Sequence, residues 1–418
     1  MRVAVIGGGS AGLVTAWLLK DTHEVTLFEK DERLGGHAHT VEAPDGKSAI
    51  PVESGFEFFT RQAHPAFCRL LGAIGASLQE YPLTFTLQME NSGVTHLLPP
   101  HRPEGMYWPA FAPASLLSLI RFEFFLRRAA RLVHDEDISP SIGEFVDRFR
   151  FTRAFSEEFL WPFLVGGWCI PLADFRRLAA YEILKYLVLF RPRGLKPRTF
   201  TAIEGGAAAY TRAIRKSMPG VTVHTGRQIR CLRREEVRFR VADSAGDVFE
   251  FDHMVLATNA PTARHLLECV QGTEDERRVL RRFQYFETRI AVHGDRRFMP
   301  RKQRHWSVYN ILWRKDCSWA TVWRQQATGA PVFKTWLDPD GPLPEPLYHL
   351  TRYQHTFADA DYLRAQRELA TLQGRRKLWF AGAYTYDIDS HESAVQSAIR
   401  VARRLAPDSR NLSRLESH

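Results

Sequence analysis

The sequence predicts an α/β fold in which a parallel sheet carries a second, α+β domain as an insertion. Three observations predict it. A short apolar and β-branched strand at 2–6 opens the chain, glycines at GxGxxG spacing follow at 7–12, and similar short strands return near the middle and the end. Uninterrupted apolar runs of this length are typical of buried parallel strands. A chain of 418 residues is also long enough to form two domains.

The composition is that of a folded globular protein. Hydrophobic residues make up 44% and charged residues 25% of the chain, which excludes a disordered protein. The net charge of +10 is carried mainly by arginine and favours anionic partners. No basic run is interleaved with aromatic residues, so we predict no nucleic-acid partner.

The cysteines and histidines show no metal-binding pattern. The five cysteines are scattered without a CxxC pair, which favours a reducing compartment and argues against a disulfide framework or a zinc site. No apolar run approaches the roughly 20 residues that span a bilayer, and the first strand leaves no room for a signal peptide. We expect a cytoplasmic protein without a metal, and contact with the inner membrane surface stays open.

The glycines after the first strand predict a phosphate-binding turn. Gly7 permits the tight turn, Gly9 lets a pyrophosphate approach the backbone, and Gly12 lets helix and strand pack closely. The helix at 11–20 offers free N–H groups to the phosphates, and Glu29, at the end of the second strand, is placed to hold ribose hydroxyls. The cofactor-binding residues predicted here are Gly7, Gly9, Ser10, Ala11, Gly12, Glu29 and Lys30.

The next segment, "DERLGGHAHT" at 31–40, distinguishes between two cofactors. Arg33 is placed to reach a phosphate, and Gly35 and Gly36 allow a second backbone approach to the same ligand. A nicotinamide site does not need this second pair, whereas a long, extended FAD does. We therefore predict FAD, with His37 as a residue of the flavin loop.

These motifs together resemble the signature of the flavin-containing amine oxidase and phytoene-desaturase-like superfamily. Further segments resemble the family in its expected order: "AIEGGAAAYTRAI" at 202–214, "VTVHTGRQIRCLRR" at 221–234, "MVLATNAP" at 254–261 and "LWFAGAYTYDIDSHESAVQSAIRVARRL" at 378–405. The whole layout is similar to that of predicted NAD/FAD-binding proteins often encoded beside cyclopropane-fatty-acid synthases. "ESGFEFF" at 53–59 and "FLWPFLVGGW" at 159–168 carry this closer match.

The resemblance implies a Rossmann-type FAD-binding domain of the glutathione-reductase kind. It places the backbone near Ile229 against the adenine, and Gly382 and the helix starting near His391 against the flavin. The further cofactor-binding residues that it implies are His391, Glu392, Ala394 and Val395. Amine oxidases commonly have an aromatic residue two positions before the closing glutamate, where this chain has Ser390. That departure weakens the amine-oxidase interpretation specifically.

The chain organisation follows from these segments. We expect the FAD-binding domain to comprise 1–94, 200–275 and 370–418, and the substrate-binding domain to comprise 95–199 and 276–369. The local patterns predict helices at 64–80, 113–133 and 390–405, the last with Ser390 as its N-cap, and a polar tail over the last dozen residues.

Large apolar residues in the first insertion suggest a substrate tunnel, although a helical core explains most of them. They are Phe122, Phe124, Phe125, Trp161, Phe163, Trp168 and Tyr186. The helix at 113–133 places Phe124 and Phe125 among four arginines, a combination that suits an acidic membrane surface. An ordinary amphipathic helix covering a core has the same pattern.

No catalytic triad or carboxylate pair is evident. His391 and Tyr384 are weak candidates for handling a proton, and the alternative is that they only position the cofactor. Our hypothesis is a FAD-dependent oxidoreductase that transfers a hydride from a small apolar, lipid-like or polyketide-like substrate to flavin N5, with oxygen or another compound reoxidising the flavin. The alternatives are an amine oxidase that produces hydrogen peroxide, a FAD-dependent double-bond isomerase, and a flavin-bound scaffold or sensor without turnover.

Overall fold

The computed structural model describes residues 1–44, 49–102, 105–191, 199–325 and 329–416. All the residues predicted to form the site lie within these ranges. The predicted domain ranges also include 45–48, 103–104, 192–198, 326–328 and 417–418, which lie outside the described residues.

A parallel sheet forms the first half of the fold. Its central strand Arg2–Ile6 pairs in parallel with Glu24–Phe28 on one side and with His253–Leu256 on the other. The order across the sheet is Thr222–His224, Glu24–Phe28, Arg2–Ile6, His253–Leu256 and Leu378–Phe380. The strands come from the beginning, the middle and the end of the chain, which confirms the predicted α/β class.

Both faces of this sheet are covered, which explains why its strands are uniformly apolar. Val3 and Val5 face a core that contains the helices Ser10–Leu19, Ala207–Lys216 and His391–Leu405. Ala4 and Ile6 face the opposite core, as the alternation of side chains along a strand requires. The antiparallel strands Ile229–Glu235, Arg238–Asp243 and Val248–Phe251 contribute apolar residues to that second core.

A seven-stranded mixed sheet forms the other half. Its order is Leu347–Thr356, Tyr285–His293, Phe333–Leu337, Cys317–Val322, Tyr309–Arg314, Phe85–Met89 and Thr95–Leu98. Phe85–Met89 pairs in parallel with Tyr309–Arg314, although the sequence analysis assigned 85–94 to the FAD-binding domain. We propose the same two domains, except that the strand Phe85–Met89 belongs to the substrate-binding domain, because it pairs with a strand of that domain.

The remaining elements are three strand pairs, further helices and 3₁₀ turns. The two-stranded pairs are Thr40–Pro44 with Ala49–Glu53, Leu78–Pro82 with Thr199–Ile203, and His101–Arg102 with Gly105–Met106. The other helices are Pro65–Ala73, Pro113–His134, Ile142–Asp147, Arg153–Phe155, Ser156–Leu160 (a π-helix), Trp161–Val165, Leu172–Phe175, Ala180–Leu189, Ala260–Leu266, Glu274–Leu280, Ala360–Leu372 and Arg410–Glu416. Single 3₁₀ turns are Trp108–Phe111, Arg296–Phe298, Gln303–His305, Arg375–Lys377 and Ala383–Thr385.

The helix predicted at 64–80 is shorter than expected. It spans Pro65–Ala73 and is followed by Gly75 at φ +71°, a left-handed conformation that glycine adopts readily and that ends the helix. The residues that follow form the strand Leu78–Pro82, which pairs with Thr199–Ile203. Long-range strand pairing therefore overrides the local helical pattern.

The predicted polar tail is instead a packed helix, Arg410–Glu416. Its Leu412 and Leu415 are buried in the core beside the first helix. The Asn411 side chain donates a hydrogen bond to the Trp17 carbonyl oxygen at 2.9 Å, so polar residues of the tail also bind the body of the fold. The predicted cap of the preceding helix is confirmed, because the Ser393 amide donates to Ser390 Oγ at 3.0 Å.

Candidate functional site

The two glycine segments predicted to approach one ligand lie side by side. Gly9 and Gly35 form an isolated parallel bridge, and the Gly35 amide donates to the Gly8 carbonyl oxygen at 2.8 Å. A Cβ added at Gly36 would lie 3.3 Å from Gly9 Cα. The structure therefore brings both loops together at the N-terminus of the first helix.

The first loop needs glycine at two positions for packing and presents an open side at a third. A Cβ at Gly7, where φ is +107°, would lie 2.5 Å from the Ala257 carbonyl oxygen, and one at Gly12 would lie 1.9 Å from that of Gly7. A Cβ at Gly9 would meet no other group within 4 Å. The backbone at Gly9 thus borders free space, as a phosphate-binding turn requires.

Glu29 closes one end of this loop. Its carboxylate is buried and accepts hydrogen bonds from the Gly8 amide at 2.6 Å and from the Asp31 amide at 2.9 Å. The Arg227 amide donates to the Glu29 carbonyl oxygen at 2.8 Å, which brings the strand beginning at Ile229 to the same place. Glu29, which is predicted to hold the ribose, and the strand start at Ile229, which is predicted to lie against the adenine, are therefore neighbours. Lys30, also predicted to bind the cofactor, is exposed to solvent.

A guanidinium lies beside the second glycine pair. Arg33 Nη2 donates to the Gly36 carbonyl oxygen at 2.9 Å. Burial, together with the charges of Arg33 and His349, lowers the pKa of His39 to about 4. A fixed positive charge next to two glycine turns suits a pyrophosphate.

His37 lies beside two other aromatic rings. Desolvation by the surrounding protein, followed by the effect of His355, lowers its pKa to about 4. Its ring centroid lies 4.2 Å from that of Tyr353 and 5.2 Å from that of His355.

His391 joins the N-termini of two helices. Its Nε2 lies 2.8 Å from Ser10 Oγ, and its ring stacks on Phe56 with centroids 4.1 Å apart. Desolvation, with a smaller effect of His64, lowers its pKa to about 3. Because the helices Ser10–Leu19 and His391–Leu405 begin here together, their dipoles combine to favour a negative charge.

The side chains of two residues of the closing motif contact the scaffold of the fold. The Glu392 carboxylate accepts hydrogen bonds from the Ala66 amide at 3.0 Å and the Phe67 amide at 2.9 Å, so it caps the helix Pro65–Ala73. The Val395 side chain is buried in the core, and Ala394 is half-buried. We therefore assign scaffold roles to the side chains of Glu392 and Val395.

Gly382 and Tyr384 form a tight pair at the end of the last sheet strand. The Gly382 amide donates to Ser397 Oγ at 2.9 Å, and φ at this glycine is +150°. Tyr384 Oη is buried without a hydrogen-bond partner among the described residues, and burial raises the pKa of Tyr384 well above its ordinary value. Neither Tyr384 nor His391 titrates near neutral pH, so we favour positioning over proton transfer for both.

A buried ion cluster lies on the other side of residues 53–57. Lys334 Nζ donates to the Gly55 carbonyl oxygen at 2.5 Å and to Glu57 Oε2 at 3.0 Å. Arg324 Nη1 lies 3.4 Å from Glu57 Oε1. From the sequence, Lys334 invites only a weak comparison with the lysine near the flavin in amine oxidases, and its pairing with Glu57 and Arg324 was not predicted. The visible signals were a lysine inside the apolar strand Phe333–Leu337 and a glutamate in "ESGFEFF".

Aromatic side chains form a continuous series of ring contacts from the first insertion to the second sheet. The ring centroids of Phe122 and Phe163 are 5.2 Å apart, those of Phe163 and Phe85 are 5.4 Å apart, and those of Phe85 and Tyr309 are 6.0 Å apart. All four rings are half-buried. We call these four residues the aromatic wall. Of the other residues predicted to line a tunnel, Trp168 and Tyr186 are half-buried, Phe125 and Trp161 are buried, and Phe124 is exposed.

These residues fit an extended nucleotide cofactor. Two glycine turns, two helix N-termini and Arg33 suit a pyrophosphate, and the buried Glu29 carboxylate suits a ribose. Residues 31–36 would extend the contact with the ligand beyond the first loop, which is the second backbone approach that the sequence predicts for FAD.

Comparison with known proteins identifies relatives. The profile of the family described as flavin containing amine oxidoreductase matches residues 10–337. Among curated proteins, the chain is 28% identical over 169 residues to protoporphyrinogen oxidase 2, chloroplastic/mitochondrial, of Arabidopsis thaliana. That match covers 40% of this chain and 32% of the plant enzyme, so it spans about a third of the relative's length.

Solved structures share the fold over nearly the whole chain. The CLA-producing fatty acid isomerase from P. acnes superposes with a TM-score of 0.71 at 14% identity, covering 97% of this chain and 98% of the isomerase. Cyclohexylamine oxidase from Brevibacterium oxydans IH-35A superposes with a TM-score of 0.69 at 13% identity, covering 97% and 99%. These likenesses confirm the predicted Rossmann-type cofactor domain with an added substrate domain.

Proposed function

The chain belongs to the family of flavin-containing amine oxidoreductases, which are FAD-dependent enzymes, and from this premise we propose that it oxidises a small apolar, lipid-like substrate. The aromatic wall is the observation that carries the proposal. Four half-buried rings in mutual contact leave part of their apolar surface accessible, and such a surface favours an apolar ligand over an ionic one.

When bound, FAD supplies a two-electron acceptor that takes a hydride at flavin N5. In this proposal Arg33 and the two converging helix N-termini hold its pyrophosphate, and Glu29 holds the ribose. Neutral His391 fixes the start of the helix His391–Leu405 through Ser10. The aromatic wall excludes water and orients the substrate, which is the main demand of a hydride transfer.

One feature makes an amine a poor fit, because Ser390 stands where amine oxidases commonly have an aromatic residue. The double-bond isomerase remains the second candidate, because the P. acnes isomerase acts on a fatty acid and shares this fold.

We propose three partners for the protein. They are the apolar substrate, oxygen as the acceptor that reoxidises the flavin, and peripheral contact with the inner surface of the cytoplasmic membrane. Five free cysteines favour the reducing cytoplasm as the compartment.

The test is an anaerobic absorption titration of the purified protein. We expect a yellow protein whose flavin bands are bleached by a lipid extract and return when oxygen is admitted. Bleaching by simple amines alone would favour an amine oxidase. A shifted double bond in the recovered lipid without bleaching would favour the isomerase, and a colourless protein that rejects added FAD would refute the proposal.

A further inference from the structure

An apolar projection extends from the second half of the molecule. It consists of the 3₁₀ turn Trp108–Phe111 and the first eight residues of the helix Pro113–His134; we call residues 107–120 the apolar tip. More than half of the exposed large apolar residues of the described chain lie between 106 and 124. Trp108 is 73% and Ile120 is 67% exposed.

The tip is exposed on all faces of its helix. Between 113 and 120 every residue is exposed except Ser115 and Ser118, which are half-buried. No charged residue occurs from 107 to 120. A helix that is apolar all round is normally buried, and exposed apolar patches of this kind mark contact surfaces.

Positive charge begins where the tip ends. The next three turns of the same helix carry Arg121, Arg127, Arg128 and Arg131, and the last three are exposed. The one acid in these turns, Glu123, is paired with Arg127 at 3.1 Å and also with Arg191. The nearby Arg153 and Glu157 form an ion pair of their own at 2.8 Å. Arginine is thus the unbalanced charge behind the tip.

We propose that the apolar tip inserts into one leaflet of an anionic lipid bilayer, with the arginines at the headgroups. Eight helical residues extend about 12 Å, which reaches into one leaflet but is far short of the roughly 30 Å of a bilayer core. No helix among the described ranges is long and apolar enough to cross a membrane. Exposed Trp108 suits the boundary between lipid and water, and the arginines complement anionic headgroups.

The same helix leads from the proposed membrane contact to the aromatic wall. Phe122 lies two residues beyond the tip and contacts Phe163 with ring centroids 5.2 Å apart. An apolar substrate dissolved in the bilayer would meet the wall directly. This last step rests on the proposed function, whereas membrane docking itself does not.

The experiment is sedimentation of the full-length holoenzyme with vesicles, without substrate. Vesicles of phosphatidylcholine alone are compared with vesicles that also contain phosphatidylglycerol. We expect binding to the anionic vesicles and at least about tenfold weaker binding of Ile120→Glu, because a carboxylate is strongly disfavoured below the headgroups. Val237→Glu is the matched control, since Val237 is 59% exposed in the turn between the strands Ile229–Glu235 and Arg238–Asp243, and should bind as the wild type does.

The arginines provide a second, independent readout. Arg128→Gln and Arg131→Gln should each weaken binding to anionic vesicles about fivefold at low salt and leave binding to neutral vesicles unchanged. Equal binding of Ile120→Glu and wild type, or no binding of the wild type, would overturn the proposal. A dimer in sedimentation velocity that Ile120→Glu dissociates, without vesicle binding, would show that a second copy covers the tip instead.

Failure of this proposal is distinguishable from failure of the proposed function. Vesicle binding requires no turnover, and flavin bleaching by detergent-dispersed lipid requires no vesicles. A protein whose flavin is bleached by dispersed lipid but that does not bind vesicles would support the proposed function and refute the proposed docking surface.

Discussion

His391 Nε2 lies 2.8 Å from Ser10 Oγ, and this contact joins the first helix of the chain to the last long one. Ser10 Oγ also lies 2.8 Å from Tyr210 Oη. Three chain segments therefore meet at the two helix N-termini that we assign to the pyrophosphate. Because the contact holds the helices without a charge, it leaves their dipoles available to an anionic ligand.

Gly12→Val should abolish FAD binding. The added Cβ would lie 1.9 Å from the Gly7 carbonyl oxygen, so the loop cannot keep its shape. The measurement is the ratio of flavin to protein absorbance after purification. Gly72→Ala is the control, because a Cβ there meets no other group within 4 Å and alanine favours the helix by up to about 1 kcal/mol. Normal flavin content in Gly12→Val would contradict the assigned loop.

Substitutions of Glu392 and Arg33 should affect two different quantities, the unfolding free energy in the first case and the affinity for FAD in the second. Glu392→Ala removes the acceptor of two amides at the start of Pro65–Ala73 and should cost about 1–2 kcal/mol of unfolding free energy, with FAD affinity nearly unchanged. Arg33→Ala should leave stability nearly unchanged and weaken FAD binding at least about tenfold. Urea unfolding and flavin fluorescence titration measure the two effects. The reverse pattern would assign Glu392 to the cofactor.

Lys334→Met should destabilise the protein strongly. It leaves the buried Glu57 carboxylate facing only Arg324 at 3.4 Å, and removing one partner of a buried ion pair costs about 3–5 kcal/mol. The double variant Lys334→Met/Glu57→Gln should lose less than the sum of the losses of Lys334→Met and Glu57→Gln, because the two side chains pair with each other. Urea unfolding at neutral pH measures the two single variants and the double variant. Additive losses would mean that the two side chains do not interact.

Acid should destabilise the fold through its buried histidines. Burial lowers the pKa of His64 and of His293 to about 4, whereas both titrate near 6.5 when unfolded. The unfolded chain then binds more protons, so their stabilisation is complete above about pH 6.5 and is lost progressively as the pH falls towards 4.

His64→Phe tests this effect at one position. Replacing the buried imidazole should flatten the curve of unfolding free energy against pH between 6.5 and 4 by up to about 3 kcal/mol. His134→Gln, at an exposed position, is the control and should keep the wild-type slope. An unchanged slope in His64→Phe would show that His64 is not held neutral by the fold.

The confirmed cap at Ser390 rests on a short stretch of chain. The glycine turn at Gly7 and Gly12 and the strand end at Glu29 likewise depend on residues within one or two elements, and local backbone geometry decides their shape. For the same reason, the sequence alone predicts the order of strand, turn, helix and strand at the start of the chain.

The class of fold and the glycine-rich cofactor loop follow from the order of residues alone. Three further features depend on the folded structure: Phe85–Met89 joins the second sheet, the tail packs as a helix beside Trp17, and Lys334 pairs with Glu57. Glu392 likewise caps a helix that begins at Pro65. These contacts join residues far apart along the chain, and their free energy comes from burial and pairing that local propensity does not encode.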